Sequence, residues 1–226
     1  FWDNAVYHTG NMEVCALTGN KDYLQYSIDW ADYNQWKGAT SNNKAEWRST
    51  YGESPEYVLF GDWQVCFQTY ADLYKLDPDT IKIARAREVM EYQMSTSKLD
   101  YWHWVDALYM VMPVMVKMYD ITKNPLYLEK LHQYLTVTDS IMYDREVGLY
   151  YRDAKYPYPF HKTINGKKDF WSRGDGWAFA AFAKVLKQLP AEDKYREEYI
   201  TRFQTMAKSI AACQQPEGYW TRSLID

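Results

Sequence analysis

A recurring helical hairpin is the feature that most constrains the fold of this chain. Four times, a strongly apolar helical segment is followed by a short polar turn and then by a more amphipathic helical segment. The short turns are similar in character, and their sequences are ALTGNKDYL, YKLDPDTI, YDITKNPLYL and LKQLPAEDKY. Long, variable segments join one hairpin to the next. The pattern predicts an all-α, closed or curved array, with apolar helices inside and amphipathic helices outside.

Capping and turn residues set the expected helix boundaries. The expected helices cover residues 3–17, 21–34, 62–75, 79–94, 105–120, 125–142, 175–189 and 193–213. Asp175 is predicted to be the N-cap of the seventh helix, and Pro113 should kink the fifth. The long loops 35–61 and 143–174 fall at the same end of the array, where functional sites tend to form.

Composition and charge exclude several classes of function. The net charge is -4 and no basic run is present, which argues against a nucleic-acid surface. No apolar stretch is long enough to predict a membrane span. Cys15, Cys66 and Cys213 are widely spaced in helical patterns, so we expect buried thiols. The four histidines form no ligand-spaced cluster with these cysteines, so neither a metal nor another cofactor is expected.

Aromatic residues make up 18% of the chain, with 10 tryptophans and 22 tyrosines. Their flat apolar faces and polar edges suit sugar rings as well as protein cores.

Each inner helix should begin at the long-loop end, so the residues at the four helix starts should meet. These residues are Trp2, Asp3, His8, Asp62, Trp63, His103, Trp104, Asp106, Trp171, Arg173, Asp175 and Trp177. Carboxylates, an arginine and tryptophans around one hollow would fit an acidic sugar, because arginine binds carboxylates through two parallel hydrogen bonds.

Three segments carry a resemblance to a known family. The segments DWQVCFQTYADLY, WHWVDALYMVMPVMVKMYDIT and FWSRGDGWAFAAFAKVLKQLP resemble the unsaturated rhamnogalacturonyl hydrolases of glycoside hydrolase family 105, whose fold is shared by the unsaturated glucuronyl hydrolases of family 88. The resemblance implies an (α/α)6 barrel, of which about four of the six hairpins are present. Residues 1–226 are then expected to form a single catalytic domain that is incomplete at the C-terminus, with the N-terminus as a second place where hairpins could be lacking.

The chemistry implied by this resemblance is the hydration of a double bond. Such enzymes remove a 4,5-unsaturated uronic acid from the non-reducing end of pectin-derived oligosaccharides. An acid protonates the C4=C5 enol ether, water adds at C5, and the hemiketal opens and releases the other sugar. The implied partner is therefore an unsaturated uronyl oligosaccharide. The compartment stays open, with a bacterial periplasm favoured over the cytoplasm. The oligomeric state stays open.

The resemblance also assigns roles to individual residues. Asp106 is implied as the catalytic general acid and base, and Asp62 as a second catalytic-site carboxylate. The implied substrate-binding residues are Trp104, Trp171, Arg173, Trp177, His103 and Arg152. Arg152 lies near the place where some members present a histidine, and Gly61 stands where members often have a further aspartate. Burial among neighbouring aromatic rings, with Asp62 nearby, is expected to raise the pKa of Asp106.

Other interpretations of the same residues remain open. Asp62 and Asp106 could simply cap helices or lie in a first turn, and Arg173 could pair structurally with Asp175. The tryptophans could serve packing alone. The alternative functions are an unsaturated glucuronyl hydrolase acting on glycosaminoglycan fragments and a noncatalytic sugar-binding α/α module.

Overall fold

The computed structural model describes residues 1–226 and consists mainly of α-helices. The helices are α1 Trp2–Thr18, α2 Lys21–Tyr33, α3 Gly61–Gln64, α4 Cys66–Leu76, α5 Ile81–Ser95, α6 Asp106–Thr122, α7 Leu126–Met142, α8 Ser172–Gln188 and α9 Arg196–Ala212. A short 3-10 helix, Lys44–Glu46, lies in the first long loop. The expected all-α fold class is confirmed.

The helices expected over residues 62–75 and 175–189 differ in the structure. The helix expected over residues 62–75 is divided at Val65 into the single turn α3 and the longer α4. Helix α8 begins at Ser172, earlier than expected, and Trp171 is its N-cap residue. Asp175 lies inside the first turn, with its own amide bonded to the Trp171 carbonyl at 3.0 Å. The expectation that Asp175 caps this helix was therefore wrong.

The second long loop contains a small β-hairpin that the sequence pattern did not predict. Strand β1 (Tyr143–Asp144) pairs antiparallel with β2 (Leu149–Tyr150). Gly148 closes the turn with a φ of 77°, in the left-handed region that favours glycine. Strand β2 packs against both α8 and α9, so this loop is anchored to the helices.

The chain divides into two compact units. The first unit comprises Phe1–Tyr101 and Pro113–Leu128. Within it, α1 packs on α2, α4 packs on α5, and the inner helices α1 and α4 pack on each other, as the repeat predicted. His8 is buried between α1 and α2, where its ring stacks on Trp30 and its Nδ1 lies 3.1 Å from the Ser27 hydroxyl. His8 thus has a polar structural role.

The second unit comprises Trp102–Met112 and Glu129–Asp226. It contains the β-hairpin, the first turns of α6, most of α7, and the packed pair α8 and α9, whose Phe179 and Phe203 rings stack at 4.6 Å. A buried apolar cluster joins the second long loop to the C-terminal segment, and its members are Leu149, Tyr151, Phe170 and Leu224.

Flexible methionine side chains fill part of the core. The methionines of α6 are fully buried and fill the core, as expected for such flexible side chains; they are Met110, Met112, Met115 and Met118. Of the cysteines, Cys66 is buried as expected, whereas Cys15 and Cys213 are only half-buried. None of the helices combines the length and apolar character that a membrane crossing requires.

Candidate active site

The candidate site in the second unit is centred on Asp106, the first residue of α6. Its carboxyl is half-buried, and desolvation raises its pKa above the ordinary value for an aspartate. The positive charges of Arg173 and Arg152 oppose this shift without cancelling it. The expected effect of burial on this pKa is confirmed, whereas the expected effect of Asp62 stays a prediction. Both candidate arginines act electrostatically on Asp106.

Backbone hydrogen bonding places Arg152 beside the start of α6. The amide of Val105 donates to the Arg152 carbonyl at 2.9 Å, and Trp104 forms an antiparallel bridge with Asp153. The segment after β2 therefore runs alongside the residues that immediately precede Asp106. The exposed guanidinium of Arg152 also donates to the Tyr156 hydroxyl at 3.0 Å.

A close approach at Gly174 places Arg173 near the same point. A Cβ atom added to Gly174 would lie 2.6 Å from Val105 Cγ1 and 2.9 Å from a ring atom of Trp171. Because Gly174 has no side chain, the first turn of α8 can approach the start of α6 this closely. Arg173, next in the chain to Gly174, is exposed, and its guanidinium lies 4.2 Å from the centre of the Trp171 ring.

Two pairs of aromatic rings lie on the same elements of the second unit as these charged groups. Trp177 packs against Tyr109 at 4.7 Å between ring centres, and the His103 and Trp104 rings lie 4.9 Å apart. The indole nitrogen of Trp177 is buried and has no hydrogen-bond partner in the protein. A ligand that reached this nitrogen would find a donor available.

Asp175 has a different role from the one expected at the mouth of a pocket. It is 0% exposed, and its Oδ1 accepts a hydrogen bond from the Tyr150 amide at 2.8 Å. Its Oδ2 is buried without a hydrogen-bond partner, and burial raises its pKa well above the usual range. Asp175 forms no ion pair with Arg173, so the alternative interpretation of Arg173 as its structural partner does not hold.

Sequence reasoning missed the buried polar cluster beneath strand β2. The Tyr150 hydroxyl donates to Asp139 at 2.6 Å and accepts from Arg202, which also forms a 2.7 Å ion pair with Asp139. The guanidinium of Arg202 lies 3.6 Å from the centre of the Tyr143 ring. Arg202 is 52 residues from Tyr150 in the sequence, and the cluster has no recognisable motif, so no local signal identified it.

Asp62 lies in the first unit, on the single turn α3. It lines a cavity of about 210 Å³ together with Phe1, Trp2, Tyr51 and Trp63, among other residues. Asp3, at the start of α1, is exposed and accepts a hydrogen bond from the Asn4 amide. The predicted convergence of Asp62 with Asp106 stays a prediction.

The chemistry available at Asp106 is that of an acid beside two cations. A carboxyl with a raised pKa can remain protonated closer to neutral pH and donate its proton. Two arginines beside it can hold an anionic ligand, and the aromatic faces can hold a sugar ring. No group of three or more histidine, cysteine, aspartate or glutamate side chains is arranged to hold a metal ion.

Comparison with known proteins identifies relatives along the whole chain. The model of Glycosyl Hydrolase Family 88 matches residues 1–226. An unsaturated 3S-rhamnoglycuronyl hydrolase from Formosa agariphila is 27% identical over 234 residues, and the match covers 99% of this chain. The same match covers 60% of that protein, so this chain spans less than two thirds of its relative's length.

Solved structures show the same fold. One structure, described as a polysaccharide lyase, is 72% identical with a TM-score of 0.99, over 100% of this chain and 64% of that one. A family 105 glycoside hydrolase from C. acetobutylicum is 20% identical with a TM-score of 0.75, also over 100% of this chain and 64% of that one. The second likeness concerns the fold alone, and it agrees with the α/α-hairpin architecture expected from the sequence. The family match over the whole length and the expected helical hairpins lead to one conclusion: the chain belongs to Glycosyl Hydrolase Family 88.

Proposed function

We propose that this chain carries the catalytic residues of a hydrolase that removes a 4,5-unsaturated uronic acid from the non-reducing end of an oligosaccharide. The main support for the proposal is the half-buried Asp106 carboxyl. Burial raises its pKa although the charges of Arg173 and Arg152 lower it. A proton donor next to cations suits a substrate that has both an anionic group and a proton-accepting double bond.

In the proposed reaction, Asp106 donates its proton to C4 of the C4=C5 bond. The positive charge that develops at C5 is shared with the ring oxygen, and water adds at C5 while ionised Asp106 takes a proton back. The hemiketal at C5 then opens, which leaves a hemiacetal at C1 that releases the linked sugar. Each step conserves protons, and Asp106 returns to its starting state.

Arg152 and Arg173 are proposed to hold the carboxylate of the uronic acid. Arginine can bind a carboxylate through two parallel hydrogen bonds, and both guanidiniums are exposed to an incoming ligand. A bound carboxylate would also offset the positive charges that lower the pKa of Asp106. Substrate binding would thus raise the pKa of the acid further, just before the acid is needed.

The remaining substrate-binding roles are proposed from the same geometry. Trp171, Trp177 and Trp104 offer ring faces to the sugar, with His103 in a polar supporting role next to Trp104. Asp62 is proposed as the second carboxylate of the site. The name of the Formosa relative favours a rhamnose as the released sugar. The pectin-derived origin of the fragments is proposed from the sequence segments alone.

Lyase activity is the second candidate function, because the structure that is 72% identical is described as a polysaccharide lyase. A lyase abstracts the proton at C5 of an intact uronic acid, expels the substituent at C4, and so creates the double bond that the proposed hydrolase consumes. Arginines that neutralise the uronate carboxylate would assist both reactions. The near-ultraviolet absorbance of the double bond distinguishes the two functions, because a hydrolase lowers it and a lyase raises it.

The test supplies the purified protein with two substrates and follows the near-ultraviolet absorbance of the conjugated double bond. With an unsaturated uronyl-rhamnose disaccharide, the proposal predicts that absorbance falls as rhamnose is released. With an intact uronyl-rhamnose oligosaccharide, it predicts no rise. A rise with the intact substrate would establish the lyase, and binding without any change in absorbance would favour a noncatalytic module. Faster turnover of an unsaturated glycosaminoglycan disaccharide would move the substrate assignment to the glucuronyl alternative.

A further inference from the structure

Asp175 is a buried carboxyl to which the proposed mechanism gives no role. It is 0% exposed, one of its oxygens accepts from the Tyr150 amide at 2.8 Å, and the other has no hydrogen-bond partner. The half-buried Cys213 thiol, at the end of α9, interacts electrostatically with Asp175. From β2 the contact is the Tyr150 amide, while the Tyr150 hydroxyl is engaged by Asp139 and Arg202. None of these groups gives Asp175 a cationic partner.

An ionised carboxylate in such surroundings would be very costly, because burial removes its hydration and no opposite charge replaces it. The neutral acid avoids this cost and keeps the hydrogen bond, since its carbonyl oxygen can still accept from the Tyr150 amide. In this form Asp175 resembles an asparagine in shape, charge and accepting ability.

The Asp175–Tyr150 hydrogen bond lies close in sequence to both candidate arginines. Asp175 lies two residues after Arg173 on α8, and Tyr150 lies two residues before Arg152. The hydrogen bond between them joins the two segments that carry the candidate carboxylate-binding arginines.

Two further contacts connect these segments to the residue that precedes Asp106. The Val105 amide donates to the Arg152 carbonyl, and Val105 packs against Gly174. The start of α6, the end of β2 and the start of α8 are thus joined pairwise, and each contact flanks one of the three charged groups. Of the three contacts, only the one at Asp175 depends on a polar side chain.

We propose that Asp175 is a neutral carboxylic acid that acts as a positioning residue, fixing Arg152 and Arg173 relative to Asp106. The kinetic consequences of this positioning role rest on the proposed function, because they are measured on the unsaturated uronyl substrate. The protonation state of Asp175 does not depend on that function and can be tested by folding alone.

The kinetic test compares Asp175→Asn with Asp175→Ala. The asparagine variant keeps the acceptor and the neutral charge, so kcat/KM should stay within about threefold of the parent, well below the roughly hundredfold loss that a misplaced group can cause. The alanine variant loses the link between the segments, so kcat/KM should fall by about 10- to 100-fold, mainly through KM. The arginines should also act less strongly on Asp106, so the basic limb of the pH–rate profile should move to higher pH.

A residue that only supports the fold would lower the amount of folded protein without changing KM or the pH profile of the folded fraction. That outcome for Asp175→Ala would overturn the positioning role. If the alanine variant does not fold, Asp175→Ser replaces it, because the shorter side chain cannot reach the Tyr150 amide. An asparagine variant that folds but is as impaired as the alanine variant would also contradict the proposal.

The folding test compares the parent protein with Asp175→Asn at pH 5 and pH 7. If Asp175 is ionised in the unfolded chain and protonated in the folded one, the parent must bind a proton as it folds. Its folding constant, relative to that of the asparagine variant, should then fall by about tenfold for each pH unit above about pH 4, up to the folded-state pKa. A ratio that does not change with pH would show that Asp175 is ionised in the fold and would overturn the neutral-acid claim.

The two tests separate this proposal from the proposed function. If the parent protein does not turn over the unsaturated uronide, the proposed function fails, while the folding test still decides whether Asp175 is neutral. The affinity for a uronate monosaccharide then replaces KM as the measure of arginine positioning. An affinity that is the same in the parent and in Asp175→Ala would reject the positioning role.

Discussion

At the scale of single residues, opposing electrostatic effects act on one carboxyl. Burial raises the pKa of Asp106, whereas the charges of Arg173 and Arg152 lower it, and burial has the larger effect. A general acid needs this balance, because it must be protonated when substrate arrives and ionised after the proton has been transferred. Besides their proposed role in holding the ligand, the arginines therefore act on the acid itself.

Asp106→Asn should remove the acid while keeping the size of the side chain. We expect kcat to fall by about 10²- to 10⁴-fold, the usual contribution of a positioned proton donor. Steady-state rates on an unsaturated uronide give the measurement. Asp100→Asn, at an exposed aspartate that pairs with Lys98, is the matched control and should keep the parental rate. A folded Asp106→Asn protein that retains the full rate would end the assignment of Asp106.

Arg173→Met should move the pH dependence of the reaction. The charge of Arg173 lowers the pKa of Asp106, so removing it should raise this pKa. The acid then stays protonated to higher pH, and the basic limb of kcat/KM should shift upward, while KM rises because a carboxylate contact is lost. Arg173→Lys, which keeps the charge but not the paired donors, should raise KM and leave the limb in place. A limb that moves downward in Arg173→Met would contradict the electrostatic assignment.

At the scale of elements, the site depends on the close approach of two helix starts. The first turn of α8 can lie against Val105 because Gly174 has no side chain. Strand β2 continues into the segment that bonds to the same valine. The geometry of the charged groups is thus set by short backbone contacts rather than by long, flexible side chains.

Gly174→Ala and Gly176→Ala form a matched pair that tests this packing. A Cβ at Gly174 would lie 2.6 Å from Val105 Cγ1, so a shift is required, and we expect a loss of about 1–3 kcal/mol in the free energy of unfolding. A Cβ at Gly176 meets nothing within 4 Å, so alanine there should be neutral or stabilising by up to about 1 kcal/mol. Denaturant unfolding measures both values. Equal effects at the two positions would show that the Gly174 contact is unimportant.

The elements also show which parts of the structure sequence reasoning can predict. The paired helices α1/α2, α4/α5 and α8/α9 were predictable, because helical periodicity and turn residues are local signals. The β1–β2 hairpin was not, since each strand has only two residues and shows no alternating pattern. The role of Asp175 was also missed: an aspartate near a helix start resembles an N-cap, and only its long-range contact with Tyr150 reveals its role.

At the scale of the whole molecule, the expected substrate has the same sign of charge as the protein. The net charge is -4, so long-range attraction would not favour an anionic oligosaccharide. The proposed recognition must come from the local arginines beside Asp106 and from ring contacts. The family, the all-α fold and the position of Asp106 at a helix start followed from sequence segments, whereas the pairing of Arg152 with that helix start required the folded chain.

If Asp106 protonates the double bond, the transferred proton can be traced by running the reaction in heavy water. A single turnover on an unsaturated uronyl disaccharide is read by NMR before exchange next to the new ketone becomes significant. We expect one deuteron at C4 of the released uronic acid, added to one face only, and no such product from Asp106→Asn. A released sugar acid that keeps its C4=C5 bond, or equal labelling by the Asp106→Asn protein, would contradict it.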